Sequence, residues 1–200
     1  MCSGSRKCCL TASILWYTCG VDENFNQKVT RIETDKLLRW WKQPANNFNT
    51  AIMRFATWLG DGWLWGFVIT VITWRTDLWI GLATLWRGLL VGAVSVAIYK
   101  YLKNRFNRPR PFERQGLEPL QEPPDQFSFP SGHTMNNAAT TFFLGHLHPW
   151  LLPYLLPITV LVGFSRVYLR VHYATDVVMG YLLGSGVAFI AYHIPFLSHF

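Results

Sequence analysis

Between Ala51 and Leu102 the chain is apolar almost without interruption, and the short polar group Arg75-Thr76-Asp77 cuts that run in two. The first piece, Ala51 to Trp74, carries Arg54 and Asp61 as its only charges. The second, Leu78 to Leu102, contains Arg87. At ~1.5 Å per helical residue each piece can cross a ~30 Å hydrocarbon core. So tight a break leaves room only for an antiparallel neighbour, so the two pieces predict a helical hairpin in a membrane. Arg87 must then face the bundle interior or a polar partner, because a lipid-facing charge at that depth is costly.

Three more apolar segments follow, at roughly Thr134 to Leu147, Trp150 to Phe164 and Val177 to Ile194. Pro149, Pro153 and Pro157 punctuate the start of the middle one, and neighbouring helices must satisfy the backbone groups they free. Gly180 and Gly184 give the last segment a small-xxx-small spacing that permits close helix packing. Composition alone would allow a soluble core, since half the residues are hydrophobic, but 14% charged residues and ten tryptophans favour lipid. The fold expected is all-α: one domain over residues 1–200, a polytopic membrane bundle of five helices, or six if the N-terminal run from Cys8 to Cys19 also inserts. That run reaches only ~18 Å, so residues 1–50 read as an interfacial or partly inserted segment. Cys2, Cys8, Cys9 and Cys19 all fall in the first twenty residues, where they cannot staple the rest of the chain, and they read as free thiols.

Residues 103–132 are a different material, rich in Arg, Pro, Glu and Gln, and a loop of that length in a compact domain is usually functional or disordered. A net charge of +7 admits nucleic acid, anionic headgroups or an anionic substrate as partners. Lys100, Lys103, Arg105, Arg108, Arg110 and Arg114 crowd into fifteen residues beside an apolar segment, which points to an anion site at a membrane surface and not to nucleic acid. Arg105, Arg108, Arg114 and Arg170 read as anchors or supporting groups, and His146, His148, His193 and His199 as interfacial residues at the far ends of their helices.

Polar clusters occur where apolar segments end: Lys103 with Arg110-Pro111, then Pro130-Ser131-Gly132-His133, then Ser165-Arg166 with His172 and Asp176. If successive helices alternate in direction, all three lie on one membrane face. Lys103, Arg110 and Arg166 supply charge-assisted donors, the arginine forks matched to phosphate oxygens. Ser131 is a good N-cap and Gly132 lets backbone approach a ligand, so the helix beginning near His133 can aim free N–H groups at the same anion. His172 and Asp176 are four apart; on one helix they share a face, and the carboxylate can hold the imidazole in the tautomer that leaves its other nitrogen free to attack. His133, on the opposite wall, can protonate a departing oxygen. His133, Asn136, Asn137, Thr140 and Thr141 form one helix face, a polar stripe that either continues the site inward or hydrogen-bonds between helices.

These groups resemble the type 2 phosphatidic acid phosphatase family, whose pattern is K-x6-R-P, P-S-G-H and S-R-x5-H-x3-D. The chain matches at every defined position from Lys103 to Asp176. The resemblance implies His172 as nucleophile, Asp176 as its orienter, His133 as general acid, and Lys103, Arg110, Ser131, Gly132 and Arg166 as the phosphate cradle. It implies no metal and no cofactor. The expected activity is hydrolysis of a lipid phosphate or isoprenoid pyrophosphate through a phosphohistidine, with the bilayer as the other partner and no obligatory protein partner. Candidate substrates by resemblance are phosphatidic acid, phosphatidylglycerophosphate and undecaprenyl pyrophosphate, and the expected location is a bacterial inner membrane with the site facing outward. Two rivals share features: a soluble acid phosphatase or vanadium haloperoxidase carrying the same motifs, and a non-catalytic anion- or lipid-binding membrane protein.

Overall fold

A computed structural model describes Glu33, residues 37–42 and residues 44–198. The N-terminal apolar run, the four cysteines and His199 lie outside these residues.

Asn46 caps α1 (Asn47–Trp58), its side chain accepting from the backbone N–H groups of Phe48 and Asn49 at 2.9 and 3.3 Å. The helix does not stop at Trp58. It passes through a π-helical turn, Leu59–Trp63, and resumes as α2 (Leu64–Arg75). Within the turn Gly62 has φ +130°, a conformation that a side chain would make strained. Asp77 opens α3 (Leu78–Phe106), accepting from Ile80 N–H at 2.9 Å, so the polar break between the two apolar pieces ends in a cap. A short helix α4 (Pro111–Gln115) interrupts the long loop. Then come α5 (Gly132–Leu147), α6 (Leu152–Tyr168), α7 (Ala174–Tyr192) and a terminal turn α8 (Pro195–Ser198). Each bundle helix reaches beyond its apolar segment at the loop end: α3 gains residues through Phe106, α6 through Tyr168, and α7 begins at Ala174.

The centre of the bundle is α5, which packs most extensively on α7, then on α3 and α6. Eleven of its sixteen residues are buried. The α5–α7 approach is close because Gly180 and Gly184 face it: an added Cβ there would meet the backbone carbonyls of Ser131 and Met135. Beneath this crossing Ile72, Val91, Ala139, Phe143, Leu144, Leu155 and Ala188 form the main apolar core. The outward surface is also apolar. Trp74 and Trp79, at the hairpin end, are 85% and 80% exposed, and Phe67, Leu89, Leu182 and Ile190 lie open along the helices. Apolar surface on this scale is what lipid covers, and tryptophans at a hairpin tip suit an interface.

Four stretches are long and apolar enough to cross a bilayer: Asn47–Arg75, Leu78–Gln115, Pro149–Tyr168 and Ala174–Tyr192. The fifth bundle helix, α5, is only ~24 Å long and is enclosed by the others instead of by lipid. The polar stripe on α5 serves both of its expected uses. Thr141 hydrogen-bonds Thr159 of α6 at 2.7 Å and Asn137 donates to the Gly60 carbonyl at 3.1 Å, while Asn136 and Asn137 also reach the cleft described below. One histidine departs from expectation. His148 is not interfacial but buried, its Nε2 3.3 Å from Thr84 Oγ1, because Pro149 and the following turn fold the chain back over it.

Candidate active site

The end of α3, the start of α5, the end of α6 and the start of α7 meet at one end of the bundle, and the backbone itself joins them. Ser131 N–H donates to the Asp176 carbonyl at 3.1 Å, and His172 N–H donates to the Arg166 carbonyl at 3.2 Å. Arg110 Nη1 donates to the Val171 carbonyl at 2.6 Å. All three sequence clusters are thereby brought together.

Lys103 lies in the last turn of α3, Arg110 at the N-cap of α4, Arg166 in the last turn of α6, His172 in the α6–α7 loop and Asp176 in the first turn of α7. None of the five is more than 5% exposed. A cleft of ≈ 190 Å³ opens here, lined by Lys103, Arg110, Gly132, His133 and His172 together with Asp61 and Asp125, while Ser131, Arg166 and Asp176 stand behind its lining. Gly132 opens α5 at the cleft wall, where an added Cβ would press on the Tyr99 ring at 3.1 Å. The Nε of Arg166 is buried without a hydrogen-bond partner, and its Nη1 has only a long contact, 3.4 Å, with Thr57 Oγ1. A buried guanidinium so little satisfied has donors to spare for an anion.

Two expected details differ. Ser131 stands at the N-cap of α5, but its hydroxyl pairs with Thr134 Oγ1 at 2.9 Å and makes no capping bond to the backbone. His172 and Asp176 do not share a helix face, since α7 begins after His172. Asp176 instead reaches back as the N3 residue of the helix, accepting from Tyr173 N–H at 2.9 Å. Its Oδ2 stands 3.6 Å from His172 Nδ1, beside the ring but beyond hydrogen-bond length, and that nitrogen has no partner. The histidine nevertheless meets the first requirement of a nucleophile. Burial, and then the positive charges of Arg110, Arg166 and Lys103, hold its pKa well below the ordinary imidazole value, so the ring is uncharged at neutral pH.

Three neighbours of the site, Glu33, Asp61 and Asp125, escaped the sequence reading. Arg108, read as an anchor or a supporting group, is buried and takes the second role; it bonds Asp176 Oδ1 and Thr175 Oγ1 through Nη1, reaches Glu33 Oε2 at 3.2 Å, and lies over the Tyr173 ring at 4.1 Å. Glu33 in turn accepts from Thr175 N–H at 2.6 Å, tying the N-terminal part of the chain to the start of α7. Asp61, carried by the π-helical turn, meets His133 Nε2 at 2.7 Å. Its one sequence signal was an acidic residue between two glycines in an apolar run, and π turns recur at functional sites. Asp125 bridges Lys103 and Arg110; burial pushes its carboxyl up, but the hydrogen bonds and charges of those two cations outweigh that and hold it below its ordinary value. Among the described residues no cluster of three or more His, Cys, Asp or Glu is placed to hold a metal ion.

Residues 84–199 match the family model described as the PAP2 superfamily. Phosphatidylglycerophosphatase B of Bacillus subtilis is 41% identical over 113 residues, which cover 50% of this chain and 53% of the relative. Undecaprenyl-diphosphatase of Sulfolobus acidocaldarius is 34% identical over 115 residues, covering 56% and 53%. The chain thus spans about half the length of the curated relatives it matches. In three dimensions it superposes on the crystal structure of a transmembrane PAP2-type phosphatidylglycerolphosphate phosphatase from Bacillus subtilis with a TM-score of 0.63 and 30% identity, covering 84% of this chain and 85% of that one.

Proposed function

Because this chain belongs to the PAP2 superfamily, we propose that it is an integral membrane phosphatase that removes phosphate from a lipid phosphate or isoprenoid pyrophosphate through a phosphohistidine on His172. The observation that carries the reading is the buried, uncharged His172 opening onto the same cleft as two buried cations and His133. The crossing helices and the apolar outer surface favour it over a soluble relative. The cleft lies where the long apolar helices give way to the polar loop, and that position supports a lipid substrate. Phosphatidylglycerophosphate and undecaprenyl pyrophosphate are the candidates that the relatives' names support. The same reading puts the site on the outer face of a bacterial inner membrane; its support is the family resemblance, and the basic residues of the cleft are discounted as topology signals because they hold phosphate.

In the proposed reaction Lys103, Arg110, Arg166 and the N-terminus of α5 hold the phosphate oxygens. With Nδ1 turned toward Asp176, Nε2 of His172 attacks phosphorus, the bond from phosphorus to the leaving oxygen breaks, and His133 gives that oxygen its proton. Water then attacks the phosphohistidine, yielding its proton to His133 and releasing inorganic phosphate with His172 restored. The test is release of phosphate from these lipids by purified protein in detergent. Activity is expected to persist in EDTA, since three cations and a helix terminus already stabilise the phosphate charge. Absence of activity on all of them would overturn the reading in favour of an anion-binding membrane protein.

His133 and Asp61 allow a sharper expectation. A general acid matters most when the leaving oxygen is a poor leaving group, such as a glycerol alkoxide, and least when a phosphate with second pKa near 6 departs. His133→Ala should therefore slow monophosphate lipids about 10²-fold or more while slowing pyrophosphate lipids and aryl phosphates far less. Asp61→Asn should show the same ranking at smaller size, because it acts through His133. The check is the ratio of mutant to wild-type kcat across leaving groups of graded acidity; equal losses throughout would make His133 a binding group.

A further inference from the structure

The cleft that is read above as a phosphate site already holds an anion of the chain's own. Lys103 Nζ donates to both carboxylate oxygens of Asp125, at 2.7 and 2.6 Å, and Arg110 Nη2 donates to Oδ1. Arg110 Nε also holds the Asp125 backbone carbonyl at 3.0 Å, an anchor for the main chain that does not depend on the carboxylate. Lys103 and Arg110 are almost wholly buried, whereas the Asp125 side chain is 36% exposed and sits on the loop. The carboxylate therefore has a path to water that the cations lack.

Resting on the phosphate-site reading, we propose that Asp125 is a resident counter-anion that substrate phosphate must displace, and that it selects phosphate monoesters and terminal pyrophosphates over the phosphodiesters of bulk lipid. The argument is one of charge and oxygen count. Lys103 and Arg110 line the cleft and Arg166 stands close enough to act on its charges, while Asp61 is paired with His133. With Asp125 turned outward the three cations face the substrate, and a dianionic phosphate monoester leaves one positive charge unmatched where a phosphodiester leaves two. A phosphodiester offers one charge and two free oxygens, the same as the carboxylate it would have to replace. Asp125 is moreover tethered, and a tethered competitor acts at an effective concentration in the millimolar range or above. A diester thus gains nothing by displacing it, while a monoester neutralises a cation that Asp125 leaves unpaired. A cleft with two buried cations and no such guard would fill with the diester headgroups that surround it in any membrane, and two buried cations left without an anion would themselves be costly.

The experiment measures thermal stabilisation of the purified full chain in detergent by methyl phosphate and by dimethyl phosphate at mildly alkaline pH, where the first is a dianion and the second a monoanion. The wild type should be stabilised by methyl phosphate and left unmoved by dimethyl phosphate. In Asp125→Asn the apparent affinity for dimethyl phosphate should rise at least about tenfold, and phosphatidylglycerol should become a competitive inhibitor of monoester hydrolysis. Asp125→Ser is the second variant, and the wild-type pair of ligands decides even if neither variant folds. Equal stabilisation of the wild type by both ligands, or no gain in diester affinity when the charge is removed, would overturn the role of Asp125 and leave the phosphate site standing. Failure of methyl phosphate to bind the wild type at all would overturn the phosphate site itself, and the proposal with it.

Discussion

His172→Ala should abolish turnover, by at least about 10⁴-fold in kcat, because it removes the fully buried ring that opens onto the cleft beside Lys103 and Arg110. Wild-type protein quenched during turnover of a ³²P-labelled substrate should carry acid-labile, base-stable label, and the variant should carry none. Label that persists in His172→Ala would move the nucleophile elsewhere. The pH profile gives a second check. Protonation removes the attacking lone pair, so rate is lost as pH falls through the pKa of His172. Since burial and the three cations hold that pKa well down, the His172 limb should lie clearly below the ordinary value of about 6.5. A limb at or above that value would mean that the ring is solvated or paired in a way the structure does not show.

Arg108→Ala should be the most destabilising change at the site, costing about 3–5 kcal/mol, because it leaves the fully buried Asp176 without its cation. It also removes the cation over Tyr173 and the ion pair to Glu33, whose own bonds to Thr175 remain. Thermal denaturation in detergent should show a large loss for Arg108→Ala and almost none for Arg105→Ala, whose side chain is exposed two residues before the loop turns. Activity should fall with stability, since Asp176 is free to shift relative to His172. Equal melting temperatures for the two variants would show that Asp176 is satisfied by its remaining partners and that Arg108 is an anchor after all.

Convergence of Lys103, Arg110, Gly132, His133, Arg166 and His172 was legible in the sequence because it needs only helix alternation and motifs at helix ends. The supporting groups were not, and for separate reasons. Arg108 falls inside the variable stretch between Lys103 and Arg110, where each of several arginines fits an anchor or a supporting group equally until burial singles it out. Asp125 lies in a loop with no periodicity, so nothing along the chain says which cations it will meet. The Asp61 contact depends on a helix gaining an extra residue in one turn, and hydropathy does not register that change of pitch. Ser131 and Asp176 were assigned by the usual habits of their residue types, and nearer partners, Thr134 for one and Tyr173 N–H with Arg108 for the other, took up the groups in question.

The enclosure of α5 bears on how the protein enters its membrane. A sixteen-residue helix bearing His133, Asn136, Asn137, Thr140 and Thr141 on one face is too short and too polar to partition stably into lipid as it leaves the insertion machinery. Its principal partner, α7, is synthesised after it. The helix that carries His133 must therefore wait at the membrane surface or in a sheltered channel until the glycine face of α7 arrives to receive it. Assembly of this end of the bundle therefore awaits α7, and a chain cut short before Gly184 lacks the surface on which α5 packs.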